Sequence, residues 1–408
     1  MSGKDLDIVL FGATGFTGKL AIQHILHKAY DVKFAICVRD IPKANSFLEK
    51  CNFQNTKPEI LQADLVCDSQ AKTERLKNIL TRTKVAITAA GPFEKYGKTL
   101  VKLCAELGVH YADITGESDF VRSMVDQYDS VARSTGAKIV CHCGNDCIPW
   151  DMTVLKMHEY ALAKGCRLTE VDTWTELPPS ATASGGTLST ALYQLGKDRS
   201  KVSKSRSDPL LRAADGSVSK YHTKITSPKS DVYVAEFKRS AGYWLMQPVM
   251  GNCIRRSNAL NGYNDKLRFS EALLRPETWS HWLHDRAFSA LFAGALYFPP
   301  LRGFLSQTGQ GPSQAEMEAG WLKVHGRGVM VSADGRVTKL NSSYYFSEDT
   351  GYLATAKMLV ETGMLLLSGR GESVGGVSTP AVLIGSDLCD RLSAQVGAVF
   401  ELSEAPIQ

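Results

Sequence analysis

Gly12, Gly15 and Gly18 recur at every third position in Gly12-Ala13-Thr14-Gly15-Phe16-Thr17-Gly18, directly after the apolar run Ile8–Phe11 and before a helical pattern. Glycines so spaced allow a tight strand-to-helix turn. They also let backbone approach a pyrophosphate, which the positive end of the following helix then holds. The spacing G-x-x-G-x-x-G, rather than G-x-G-x-x-G, is a variant found among reductases, and all seven residues are assigned to the cofactor. The end of the second strand chooses between cofactors, because an NAD site usually places an acid there for the ribose 2′-hydroxyl. Here Phe34–Val38 ends in an apolar residue and Arg39 and Asp40 follow. The planar guanidinium of Arg39 suits a 2′-phosphate, so NADPH is the expected cofactor. An inward-pointing Asp40 would leave NAD open.

Asp64 follows the third strand candidate, a position expected beside the adenine. Val85–Thr88 then runs through Ala89 into Ala90, Gly91, Pro92, Phe93, Glu94, Lys95, Tyr96 and Gly97. This is the carboxyl end of the fourth strand, where the nicotinamide half belongs. Ala90, Gly91 and Pro92 are expected to line it, with Gly91 admitting close backbone approach. A nicotinamide reductase must hold its acceptor in place and supply a proton. Tyr96 is the first candidate donor, since a phenol can protonate or steady an enolate. Glu117, after the fifth strand, and Asp146, after the sixth, are the other catalytic candidates. Glu117 has an alternative role in capping a helix or holding a loop backbone. Asp113 shares the same sheet edge, and Thr187 lies in a Gly-rich turn further on. Cys141, His142, Cys143 and Cys147 match no common zinc spacing; they read as core residues, and no metal is expected.

The elements that must position these residues alternate over the first 147 positions. Strand candidates are Ile8–Phe11, Phe34–Val38, Glu59–Gln62, Val85–Thr88, Tyr111–Asp113 and Lys138–Val140. Between them lie helical patterns over Gly15–Lys28, Pro42–Cys51, Gln70–Leu80, Lys98–Leu107 and Asp119–Ser134. Six strands with five intervening helices predict a doubly wound parallel sheet of Rossmann type. From Ile148 the pattern changes. A helix from Pro149 leads into Leu168–Glu176, and Val232–Phe237, Trp321–Val331 and Val337–Phe346 follow as strands. They predict a second α+β domain on a mixed or antiparallel sheet. The expected division is 1–147 for the cofactor and 148–350 for substrate. A helix over Thr350–Leu367 and a tail, 351–408, should pack back near the first domain.

The chain of 408 residues has 47 basic and 42 acidic residues, a formal net charge of +5. Eight Lys/Arg against three Asp within Lys197–Lys224 account for all of that excess. No basic face remains to bind nucleic acid. Met1–Asp7 is polar and Ile8–Phe11 too short for a signal h-region, so a cytoplasmic protein with reduced thiols is expected. Ala287–Pro299 is uncharged, is too short to span a bilayer and is flanked by Trp279, Trp282, Arg286 and Arg302. It reads either as a buried helix or as a peripheral lipid or membrane contact over 287–305. All six Trp lie between Ile148 and Thr350, which points to an apolar, aromatic substrate domain.

Five motifs together resemble the saccharopine dehydrogenase-like oxidoreductases, in the branch that holds the trans-acting enoyl reductases. They are Phe11 to Gly18, Gly91 to Gly97, Tyr111 to Glu117, Gly144 to Pro149, and Gly375 to Pro380. Ser184 to Thr187, Gly311 to Ser313 and Gly351 to Thr355 match less extensively. The resemblance runs from residue 8 to about 400 and implies NADPH-dependent reduction of a conjugated C=C or C=N bond. Its substrate would be an apolar small molecule or one bound to a carrier, in lipid or polyketide metabolism. A homodimer is left open. Two departures bear on specificity: the branch usually has Gly-Arg at Val38-Arg39, and often Gly-Phe-Asp at Gly144-Asn145-Asp146. Two other readings stand beside this one. One is a saccharopine-type amino-acid dehydrogenase, whose tricarboxylate substrate would need several buried arginines. The other is a nucleotide-binding, lipid-associated protein without catalysis.

Overall fold

The computed structural model describes residues 3–51, 57–178, 208–244, 246–276, 311–369 and 374–405. Thr187 and the stretch 287–305 lie outside the described residues. The chain divides into two units. One holds Met1–Ile148 and Tyr352–Val396, the other Pro149–Gly351 and Gly397–Gln408.

The first unit is built on β1 (Leu6–Phe11), β2 (Phe34–Val38), β3 (Glu59–Gln62), β4 (Thr83–Thr88), β5 (His110–Asp113) and β6 (Lys138–Val140). A further strand, Gly376–Ser378, joins β6, so the sheet order is Gly376–Ser378, β6, β5, β4, β1, β2, β3. Every pairing is parallel, with Ile8 level with both Phe34 and Val85. The central strands are apolar runs because helices cover both faces; Ile8, Val9, Leu10, Val85, Ala86 and Ile87 are all fully buried. The connecting helices are α1 (Phe16–Lys28), α2 (Ile41–Leu48), α3 (Gln70–Thr81), α4 (Phe93–Tyr96), α5 (Lys98–Leu107) and α6 (Ser118–Thr135). The doubly wound parallel sheet is therefore as expected. It has seven strands rather than six, because Gly376–Ser378 is too short to show any periodicity.

The helix Leu353–Leu367 packs on α1, β4 and β5. Its fully buried Glu361 holds it there. Glu361 Oε1 lies 2.6 Å from His24 Nε2 on α1 and accepts a 2.6 Å bond from the Tyr30 hydroxyl. Oε2 accepts from Arg391 Nε at 2.5 Å. Burial opposes ionisation of this carboxyl, but His24, Tyr30 and Arg391 outweigh it and hold it below the usual carboxylate range. The clamp thus contributes stability above that range and loses it as pH falls through the depressed value. Breaking such a pair by removing one partner typically costs about 3–5 kcal/mol. The clamp tethers α1, whose other end carries the glycine-rich turn.

The second unit is an eight-stranded mixed sheet. Its strands are β7 (Cys166–Glu176), β8 (His222–Thr226), β9 (Val232–Val234), β10 (Arg239–Gly242), β11 (Lys266–Leu274), β12 (Leu322–Ser332), β13 (Val337–Phe346) and the C-terminal Val399–Glu404. β7 and β8 run parallel to β11, and the remaining pairings are antiparallel. Along β12 buried and half-buried residues alternate, as a one-sided sheet requires. Helix α7 (Ile148–Ala163) sets the buried Thr153 and Met157 against Gly326 of β12, and Gly251 of helix α8 (Gln247–Asn261) lies against the half-buried Ile225 of β8. The stretch beyond residue 351 is shared between the units: its helices go to the first, while Val399–Glu404 pairs with β13. Glu271 on β11 is fully buried; it accepts from Thr175 Oγ1 at 2.6 Å and from the Thr173 hydroxyl, and burial pushes its carboxyl up to about 7.

Candidate functional site

The candidate site lies along the carboxyl edge of the parallel sheet, where strand order reverses between β1 and β4. Gly12 leaves β1 with φ +79, a region that disfavours side chains. A Cβ there would meet Ala90 N at 2.8 Å and Ala89 C at 3.0 Å, and one at Gly18 would overlap the Gly12 carbonyl oxygen. The turn therefore packs against the segment after β4, with Ala89 N bonded to the Phe11 carbonyl at 3.1 Å. Gly15 closes the turn through its N–H to the Gly12 carbonyl at 3.0 Å and stands as the N-cap of α1. No side chain caps this helix and its first turn has no acid. Ala13 is buried, Thr14, Phe16 and Thr17 are half-buried, and Gly15 is exposed. This cradle has the close approach and the uncapped positive end that a pyrophosphate requires.

At the end of β2, Asp40 is the N-cap of α2, its Oδ1 accepting from Lys43 N at 3.0 Å. Arg39 and Asp40 are both exposed, and with the Asp40 carboxylate engaged in the cap Arg39 is the side chain of the strand end left for a ligand. The Arg39 carbonyl accepts from Gln62 Nε2 at 3.1 Å, while its guanidinium has no partner among the described residues. Asp64 is half-buried; its Oδ1 accepts from Val66 N at 3.0 Å and its Oδ2 lies 3.8 Å from Lys72 Nζ.

After β4, Ala90 N donates to Thr88 Oγ1 at 3.1 Å and Gly91 is exposed. The Gly91–Pro92 peptide is cis, and α4 follows with Tyr96 in its single turn. Glu117 is fully buried beneath α4. Its two oxygens accept from the backbone of Phe93 at 2.7 Å and of Glu94 at 3.0 Å, while its own N–H donates to Thr115 Oγ1 at 3.0 Å. Glu117 therefore caps the start of α4 and fixes the loop that carries Tyr96. Tyr96 is half-buried, with Lys95 Nζ 5.1 Å from its ring centroid.

Beyond β5 and β6 lies a compact group of titratable residues. Asp113 is fully buried and accepts from Tyr111 Oη at 2.8 Å, Thr115 N at 3.1 Å and His142 N at 3.3 Å. Burial outweighs these donors and pushes its carboxyl up to about 6. His142, at φ +68, places Nδ1 2.7 Å from the Thr115 carbonyl, so Nδ1 carries the proton. Burial disfavours its imidazolium, but the neighbouring Cys147 and Asp113 more than offset that and push His142 up to about 9. Asp146 keeps some exposure, yet enclosure of its carboxyl pushes it up to about 6 against the pull of His142 and Asn145. The raised value means that Asp146 favours its protonated form up to that pH, and that ionising it costs stability as pH rises through it.

The structure brings Gly12 to Gly18 against Ala90. It places Tyr96 on a loop fastened by Glu117, and sets Asp146 beside His142. The sequence reading missed the part played by Gly351 to Thr355. Tyr352 stacks edge-on against Phe16 at 5.1 Å, and Thr355 Oγ1 accepts from Asn145 N at 2.9 Å. This segment therefore joins the glycine-rich turn to the loop that holds Asp146. Its only signal in the sequence was its match to the branch.

The family described as the saccharopine dehydrogenase NADP binding domain matches residues 8–140. A trans-acting enoyl reductase of Mycobacterium ulcerans is 30% identical over 421 residues, covering 97% of each chain. One of Mycobacterium tuberculosis is 27% identical over 414 residues, covering 95% of this chain and 96% of the other. Among solved structures, an apo saccharopine dehydrogenase (L-Glu forming) of Saccharomyces cerevisiae superimposes with a TM-score of 0.58. The superposition covers 98% of this chain and 100% of that one at 11% identity, a likeness of fold alone.

Proposed function

The chain belongs to the saccharopine dehydrogenase-like oxidoreductases, in the branch of the trans-acting enoyl reductases, and from that premise we propose that it reduces a conjugated C=C or C=N bond of an apolar substrate, free or carrier-bound. It is an NAD(P)H-dependent oxidoreductase. The observation that carries the proposal is the cradle at Gly12–Gly18, closed against Ala89 and Ala90 and next to a loop that presents a phenol.

Bound NADPH would supply the hydride; the chain's own residues do the rest. Gly12, Ala13, Thr14, Gly15, Phe16, Thr17 and Gly18 give the pyrophosphate close backbone and a helix N-terminus. Arg39 pairs with the 2′-phosphate, and Asp64 borders the adenine pocket. Ala90, Gly91 and Pro92 form the wall beside the nicotinamide ring. Tyr96 donates a proton, or a hydrogen bond, to the negative charge that develops on the reduced substrate. Glu117 positions Tyr96 through the backbone of Phe93 and Glu94. Asp146, neutral below about pH 6 and beside the protonated His142, is the alternative donor.

Arg39→Ala tests the cofactor choice. A hydrogen bond to a charged group contributes about 1.5–3 kcal/mol, so NADPH affinity should fall about 10- to 150-fold in a calorimetric titration. NADH affinity should stay within about twofold, because NADH carries no 2′-phosphate. Equal losses for both nucleotides would show that Arg39 has no phosphate to recognise.

A further inference from the structure

We infer that the side-chain amide of Asn145 is the anchor for the carboxamide of the nicotinamide ring, an inference that rests on the NADPH reading above. Asn145 Oδ1 is buried and has no hydrogen-bond partner among the described residues. A buried carbonyl left unpaired carries a desolvation penalty that native proteins rarely leave standing, and a ligand N–H would relieve it. On the other side of the amide, Nδ2 makes a long 3.5 Å contact to Asp146 Oδ1.

The backbone of Asn145 is held from three directions. Its N–H donates to Thr355 Oγ1 at 2.9 Å. Gly144, just before it, is closely packed, since a Cβ there would lie 3.2 Å from Thr355 Cγ2 and 3.4 Å from Ile114 Cβ. The Gly144 carbonyl accepts from Cys147 N and Ile148 N at 3.2 and 3.0 Å. The backbone that carries the amide is thus fixed, which lowers the ordering cost of using it as a recognition group.

Its place in the fold selects the ligand atom. Thr355 lies three residues beyond Tyr352, about 4.5 Å along the helix axis, and Tyr352 stacks on Phe16 in the glycine-rich turn. Asn145 therefore sits about one helical turn and two side-chain contacts from the pyrophosphate cradle, on the loop after β6, at the same sheet edge as Tyr96. A nicotinamide ring reaching from that cradle across the ends of β4 and β5 would bring its C3 substituent toward this loop. That substituent is a primary amide. It offers N–H groups to the unpaired Oδ1 and a carbonyl to Nδ2, so the two amides are complementary in both directions. The same contact would fix which face of the ring is turned toward the acceptor, without Asn145 touching the proton transferred.

The test compares NADPH with reduced 3-acetylpyridine adenine dinucleotide phosphate, in which a methyl group replaces the carboxamide NH2. Binding to the full chain is read by tryptophan fluorescence in the wild type, Asn145→Leu and Asn145→Asp, each checked for folding by circular dichroism. The wild type should bind NADPH about 3- to 10-fold more tightly than the analogue, the range of one neutral hydrogen bond. Asn145→Leu should bind the two equally, and Asn145→Asp, which keeps an acceptor oxygen, should keep the preference. If Asn145→Leu fails to fold, Asn145→Ser, which withdraws the group without adding bulk, gives the same comparison. A preference that survives in the folded Leu or Ser variant, or is absent from the wild type, overturns the inference and leaves the NADPH reading standing. Failure of the wild type to bind either nucleotide overturns that reading and the inference with it.

Discussion

Gly15→Asp is expected to abolish NADPH binding in a protein that folds as well as the wild type. Gly15 has φ −76 and ψ 171, an extended conformation open to any residue. A Cβ there would meet only the Gly12 carbonyl oxygen, at 3.2 Å. Aspartate is moreover among the best N-cap residues, and the wild-type helix has no side-chain cap, so the variant should stabilise α1 by roughly a few tenths of a kcal/mol. The same carboxylate would occupy the point at which the pyrophosphate must arrive. Two like charges about 4 Å apart near a protein surface repel by roughly 4 kcal/mol, which corresponds to about a 1,000-fold loss of affinity. The combination of an unchanged or raised melting temperature with lost binding, measured by thermal unfolding and calorimetry, separates this outcome from misfolding. A folded variant that keeps wild-type affinity would remove the glycine-rich turn from the cofactor site.

Tyr96→Phe should lower turnover by about 10²- to 10⁴-fold, the usual contribution of a positioned general acid, with NADPH affinity unchanged. The loop itself should not move, because α4 is held by Glu117 through backbone N–H groups and not through the phenol. The pH profile tells the two candidate donors apart. If Asp146 gave up the proton, turnover would fall as pH rises through about 6, where its carboxyl ionises. With Tyr96 as donor the wild-type rate should show no step there. Near-normal turnover in Tyr96→Phe together with such a step would transfer the role to Asp146.

The parallel sheet was legible because its strands are buried on both faces, and runs such as Ile8–Phe11 and Phe34–Val38 stand out between amphipathic helices. The glycine-rich turn was legible for a related reason: Gly12 and Gly18 lie where backbone and backbone nearly touch. Elsewhere short strands escaped notice. Gly376–Ser378 has three residues and completes a sheet whose other strands lie more than two hundred positions earlier. β11, with its apolar Leu267, Phe269 and Leu273 broken by Arg268 and Glu271, gave a mixed pattern because Glu271 is buried among threonines. In the candidate site, position along a strand end located Glu117 and Asp146 but could not distinguish their environments. Glu117 meets two backbone N–H groups, which holds it to a capping role, whereas the half-buried Asp146 lies beside His142 and Asn145. Asn145 and Thr355 are 210 residues apart and meet only through tertiary folding, so neither could be read as part of the site from spacing.

Whether the chain delivers hydride to a conjugated bond is read by following the isotope. NADPH carrying deuterium at both C4 positions of the nicotinamide is incubated with the wild-type protein and an α,β-unsaturated thioester, or an imine in a parallel reaction, and the product is analysed by mass spectrometry and NMR. The expected result is a saturated product with one deuterium on the carbon that was β to the carbonyl, or on the former imine carbon. A solvent proton should be on its neighbour, with one equivalent of NADP⁺ formed. Tight NADPH binding with no deuterium in either product, alongside efficient NADP⁺-dependent oxidation of saccharopine, would contradict it.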